Sequence, residues 1–211
     1  MTQMAETGRD GMRDEADLAV QFARGRPRLR RLVAFRLPPQ LQGRVDPDDV
    51  LQDAYLAAAQ RLRHFAAADP PVPPFVWLRT VVLQTLADAC RHHLGAQKRD
   101  AFREVSIEAL ATGEGTSAAI VVRLAGDLTS PSQVAARADT VALVRKAIDG
   151  MDELDREVLA LRHFEELNNR EVAEVLGIEP KTASIRYVRA LRRLQALLSE
   201  LTTFGGGLPR D

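Results

Sequence analysis

The residues equipped for chemistry are few and scattered. Four histidines, His64, His92, His93 and His163, are present in 211 residues. His92, His93 and His163 belong to no HExxH, CxxC or two-histidine-plus-carboxylate arrangement. Adjacent His92 and His93 would point to different sides of a helix, so no shared metal is expected. The single cysteine, Cys90, cannot make an internal disulfide or a cysteine-rich zinc scaffold, and reads as inert packing. Gly205 to Gly207 follow no strand, so they form a tail rather than a phosphate loop. No catalytic residue, metal or cofactor is expected, and the chain does not read as an enzyme.

Charge is more informative. The formal net charge is zero, yet the average hides opposed blocks. Leu18 to Val45 holds seven arginines and no acid, and Asp46 to Asp53 then holds four aspartates and no base. From Pro180 to Ser199 the chain has five basic residues, Lys181, Arg186, Arg189, Arg192 and Arg193, and no acid. Such blocks suit one anionic and one cationic surface; singly, each reads equally well as a solvated helix face.

The elements that position these blocks are helical. Hydrophobics make up 45% of the chain and aromatics only 5%, with abundant Ala, Leu and Arg, which favours helices over sheets. Helices are expected from Ala16 to Arg24, from Pro27 to Arg36, from Asp48 to Phe65 and from Phe75 to Leu94. Asp46 can cap the third, and Pro47 suits its first turn. AAADPPVPP is a loop, since four prolines deny helix hydrogen bonds. Residues 104–137, rich in Gly, Ser and Thr, read as a linker.

Beyond the linker, Val141, Val144, Ile148 and Met151 mark one helix. Leu154, Val158, Leu161 and Phe164 mark the inward side of the next, which begins at Asp152. Asn168 with Glu171 is a capping-box pattern opening a short helix to Leu176, stopped by Gly177. Pro180 starts a longer helix to about Leu201, with Ala183, Tyr187, Ala190, Leu194 and Leu198 inward. A short helix, a glycine turn and a basic helix describe a helix-turn-helix. Its outward positions are Lys181, Ser184, Ile185, Val188, Arg189 and Arg192. Arg189 can fork onto guanine, Ile185 and Val188 can pack on thymine methyls, and Lys181, Arg186 and Arg193 suit phosphates.

The expected organisation is all-α. Residues 1–15 are a disordered amino-terminal segment, 16–103 a first domain and 104–137 a flexible linker. Residues 138–201 are a helix-turn-helix domain and 202–211 a frayed tail. No stretch free of Asp, Glu, Lys and Arg exceeds nine residues, too short for a membrane-spanning helix. The amino terminus lacks an apolar signal stretch. A cytoplasmic protein without membrane contact is expected.

DREVLALRHFEELNNREVAEVLGIEPKTASIRYVRALRRL resembles the promoter −35-binding domain of sigma factors of the extracytoplasmic-function (ECF) class, in the sigma-70 superfamily. VDPDDVLQDAYLAAAQRL and FVWLRTVVLQTLADACRHHLGAQKRD are similar to the family's other domain, which holds core RNA polymerase and opens the −10 element. The resemblance implies a transcription initiation factor whose partners are core RNA polymerase (β′ clamp helices and β flap), promoter DNA and an anti-sigma factor. It implies polymerase contacts at Asp49, Gln52 and Asp53, which spacings of three and four put on one helix face. It places Phe65, Trp77, Thr80, Gln84, Asp88 and Arg91 at the −10 element, although Asp88 and Arg91 could equally pair with each other. It places Lys181, Thr182, Ser184, Ile185, Arg186, Val188, Arg189 and Arg193 at the −35 element. Ile185 cannot hydrogen-bond a base, so the preference there would lean on Arg189 and DNA shape. Two other readings are a stand-alone helix-turn-helix regulator on operator DNA and a pure interaction module. An acidic face and an exposed −10 stripe, which a regulator does not need, argue against the first.

Overall fold

The structure, a computed structural model, describes residues 12–68, 72–95, 114–128 and 134–204. Every regular element among them is helical. Helix α1 spans Glu15–Arg36, α2 Pro47–Ala66 and α3 Pro74–Gly95, with a 3-10 turn at Pro39–Leu41 between the first two. These form the first half. Helix α4 spans Glu114–Leu128, α5 Val134–Asp149, α6 Glu153–Leu159, α7 Asn169–Leu176 and α8 Pro180–Phe204. A π-turn at Ala160–Phe164 extends α6.

Local signals act as expected at several ends. The Asp46 carboxylate accepts from the Asp48 N–H, and Pro47 takes the first turn of α2. Asn168 and Glu171 form a reciprocal capping box at the start of α7. Gly177 closes that helix at φ 62°, where a Cβ would be strained.

The α1 expectation needs correction, because the two predicted segments are one helix that runs through Pro27. Pro27 lacks the N–H for a helical bond, a defect worth about 3 kcal/mol. The helix survives because Leu18 and Phe22 before it, and Leu29, Leu32 and Val33 after it, bury in one core. That core takes Leu51, Ala54, Ala58 and Leu62 from α2, and Leu78, Val82, Leu86 and Cys90 from α3. Truncating a side chain such as Leu51 there should cost about 2–5 kcal/mol.

The linker expectation is also corrected in part. Residues 114–128 form α4, whose Ile120 and Val121 are fully buried, and α5 begins at Val134, before the predicted domain edge. Glycine, serine and threonine lower helix propensity but do not forbid a helix with an apolar face to bury. Ile120 and Val121 pack with Val144, Ile148, Met151, Leu159, Ala190 and Leu194 in a second core. A third cluster, Val158, Leu161, Leu167, Val172 and Ala183, lies under the helix-turn-helix. The predicted disordered segments fall mostly outside the described residues.

The two halves touch. Phe35 of α1 joins the second core and stacks on Phe164, with ring centroids 4.8 Å apart and planes 8° from parallel. Phe164, expected as an ordinary inward residue of its own domain, thus serves the contact between halves. Phe75 of α3 packs against the third cluster.

Candidate nucleic-acid interface

Helix α8 presents the predicted outward face. Ala183 and Ala190 are fully buried and Leu194 nearly so, while Lys181, Thr182, Ile185, Val188, Arg189 and Arg192 are exposed. Ile185 at 60% and Val188 at 44% exposure are large apolar groups turned to solvent. They offer methyl surface to a major groove. Ser184 is half-buried between them.

Arg186, Arg189 and Arg193 are engaged within the chain. Arg189 donates Nε and Nη2 to the two oxygens of Asp155, both at 2.7 Å. Arg186 donates to Asp155 at 2.9 Å and Asp152 at 3.3 Å, and Arg193 donates to the Gly150 carbonyl at 2.5 Å. Burial works to raise the Asp155 pKa, but Arg189 and then Arg186 outweigh it and hold the carboxyl below its ordinary range. The same pairing raises Arg189. Asp155 therefore orients Arg189, whose side chain stays 56% exposed on this face. Sequence reasoning missed Asp155, though an acid in the first turn of a helix packed on an arginine-rich one is a readable signal.

A second surface lies between the end of α2 and the middle of α3. Arg61, His64, Phe65, Ala68 and Val72 face Trp77, Thr80, Val81 and Gln84 across a cleft of about 370 Å³. Pockets for small ligands start at roughly 300 Å³. Phe65 and Trp77 pack with centroids 4.5 Å apart and form an aromatic wall. The Thr80 hydroxyl donates to the Val76 carbonyl at 3.1 Å. Arg61 donates to the side-chain oxygen of Gln84, leaving the amide NH₂ of Gln84 as the group able to read a base edge. The expected −10 residues Phe65, Trp77, Thr80 and Gln84 are thus brought together, with Arg61 and His64 added. Asp88 and Arg91 lie beyond the cleft on the same helix and pair with each other.

A third surface is the start of α2. Asp49, Gln52 and Asp53 are exposed on one face, as their spacing predicts. Leu56, 55% exposed, continues the row at i+7 from Asp49. Sequence reasoning passed over it. Asp48 is turned aside: Arg26 and Arg30 reach it at 2.9 and 3.2 Å and lower its pKa.

Among the described residues no group of three His, Cys, Asp or Glu could hold a metal ion. No described helix is long and apolar enough to cross a membrane. Cys90 is buried, and burial pushes its thiol up to about 11.

Residues 142–194 match the model of sigma-70 region 4. Over 200 residues, 93% of this chain and 96% of the relative, the sequence is 26% identical to the RNA polymerase sigma factor CarQ of Myxococcus xanthus. It is 29% identical over 154 residues, 72% of this chain and 73% of the relative, to the RNA polymerase sigma factor NccH of Alcaligenes xylosoxydans xylosoxydans. The chain thus carries a sigma-70 region 4 domain and is similar over most of its length to RNA polymerase sigma factors. The region 4 match runs from α5 through the π-turn and α7 into α8, and so covers the short helix, the Gly177 turn and the first part of the basic helix. A solved structure of CnrH in complex with the cytosolic domain of CnrY aligns with 90% of this chain and 93% of that chain, at 24% identity and a TM-score of 0.46.

Proposed function

We propose that the three surfaces divide promoter recognition among them. The exposed acidic row Asp49, Gln52 and Asp53, with Leu56, docks on a basic, partly apolar surface of core RNA polymerase. The Phe65–Trp77 cleft takes an unstacked base of the −10 element, with Gln84 reading its edge. The exposed face of α8, Lys181 to Arg193, sits on −35 duplex. Polymerase supplies the bond-making chemistry and this chain supplies the choice of start site. The resident compartment is the cytoplasm, where polymerase and promoter DNA are met.

The observation that carries this reading is the pairing, in one chain, of a basic, partly apolar exposed helix face with an aromatic-walled cleft in the other helical half. A stand-alone operator binder needs the first and has no use for the second. The testing experiment is co-elution of the full chain with core RNA polymerase on a sizing column. Stoichiometric co-elution is expected, and its loss on charge reversal at Asp49 and Asp53 assigns the acidic row. Absence of co-elution together with tight duplex binding by the free chain would replace this reading with an operator-binding regulator.

A further inference from the structure

Of the five large apolar residues exposed among the described residues, two stand together on α8. Ile185 is 60% and Val188 44% exposed, and a spacing of three sets their side chains next to each other on the helix surface. A lone exposed apolar residue needs no explanation, but an adjacent pair on a polar helix face makes a patch that water solvates poorly. The patch lies in the first three turns of α8, the part of a helix-turn-helix that meets base edges.

The surroundings of the patch select its occupant. Lys181 and Arg192 are exposed before and after it along the helix, and neither belongs to an ion pair among the described residues. Arg186 and Arg189 flank it, tethered to Asp155, and Arg186 also reaches Asp152 at 3.3 Å. From Pro180 to Ser199 the helix itself carries no acid. An apolar protein surface would leave these cations unpaired, whereas the phosphates along both edges of a DNA groove pair with them.

Inside the major groove, base edges display hydrogen-bonding groups and one apolar group, the C5 methyl of thymine. Ile185 and Val188 have no side-chain donor or acceptor, so a C5 methyl is the feature they can discriminate. Both are β-branched and stiff at χ1, so their methyl surface is set before DNA arrives and little side-chain entropy is lost. Cytosine methylated at C5 carries the same group at the same place on the ring and keeps its pairing with guanine.

We propose that Ile185 and Val188 make α8 a reader of C5-methyl groups. It accepts thymine and 5-methylcytosine over unmethylated cytosine, so promoter choice by this chain responds to cytosine methylation. This deepens the −35 reading proposed above and rests on it. Burying one methyl against the patch corresponds to about four-fold in affinity, and burying two to about fifteen-fold.

The test uses the full chain with core RNA polymerase and a pool of random-sequence duplexes. The upstream element of the duplexes retained is resynthesised with thymine, uracil, cytosine or 5-methylcytosine at each thymine position, against a complementary strand. Uracil differs from thymine, and cytosine from 5-methylcytosine, by the methyl alone. Binding is expected to fall about four-fold per contacted methyl from thymine to uracil, and to rise by a similar factor from cytosine to 5-methylcytosine. Equal binding within both pairs, or a retained element without thymine, would overturn the proposal and leave the sigma reading standing. Failure to retain any duplex would remove the sigma reading, and this inference with it.

The double variant Ile185→Ala, Val188→Ala removes the patch from an exposed surface, and helical circular dichroism checks that the fold is kept. It is expected to abolish both differences while binding the uracil duplex as the unsubstituted chain does. Differences that persist in the variant would assign the methyl reading to other residues. Loss of co-elution with core polymerase in the absence of DNA would give the patch to polymerase instead. Either result overturns the proposal.

Discussion

Glu165 and Asp155 each hold two arginines, but they do so in opposite surroundings. The donors to Glu165 come from α1 and α3, in the other half of the molecule, and the whole cluster is sealed from water. The donors to Asp155 come from α8 in its own half, and Arg189 keeps 56% of its side chain exposed. Burial by itself would raise the Glu165 pKa, but Arg79 and then Arg36 carry it down to about 2. Asp155 is shifted in the same direction by the same kind of pairing. One carboxylate therefore fastens distant parts of the chain, and the other fixes two side chains along the exposed face of α8. Both carboxylates are buried, so the origin and exposure of the donors, rather than the chemistry of the bond, set the role.

The sharpest way to break this comparison is to remove each acid. Glu165→Ala leaves two guanidiniums without their shared acceptor, which should cost the contact between halves about 3–5 kcal/mol. Urea denaturation and dye-to-dye distance in the free chain would read it. A loss no larger than that of a surface carboxylate would place the two clusters in one class. Acid offers a second route. A folded-state pKa below the ordinary 4.5 means that the stabilisation from Glu165 is complete above about pH 4.5 and is lost as pH falls toward 2. Förster transfer between the halves should therefore decline over that window ahead of helical circular dichroism. Simultaneous loss of both signals would show that the halves do not part as units.

Smaller effects are expected at the exposed cluster. Arg189→Ala should cost about 1–3 kcal/mol in binding −35 duplex and leave polymerase assembly unchanged, read by fluorescence anisotropy and co-elution. Asp155→Asn keeps the shape and removes the charge that orients Arg189. It should cost about 1 kcal/mol in folding stability. Its clearer signature is a relaxed preference across a panel of −35 sequences, and an unaltered preference would reduce Asp155 to a structural partner.

What was legible in the sequence follows the range of the interactions. The Asp46 cap, the Asn168–Glu171 box and the Gly177 stop are decided within four residues, and each stands where the residue types put it. The exposed face of α8 and the acidic row of α2 follow from helical period alone. Pro27 misled because its local penalty is real but is outweighed by burial on both sides of it. Residues 114–128 misled because their composition is that of a loop while Ile120 and Val121 find a distant core. The Arg36–Glu165 pair joins residues 129 positions apart, so no local pattern could reveal it. Half of it left a trace all the same. Arg36 follows Leu32 and Val33, and Arg79 precedes Val82 and Leu83, so each charge interrupts an apolar stripe and asks for a buried partner.

The π-turn at Ala160–Phe164 carries a geometric corollary. The Glu165 N–H bonds back to the Ala160 carbonyl, five residues earlier instead of four. That extra residue rotates everything after it by about 100° relative to a regular helix. The turn therefore fixes which way Glu165 faces, toward Arg36 and Arg79. The heading of α7 and α8, and of every side chain they present, is thus set by one extra residue in the helix before them.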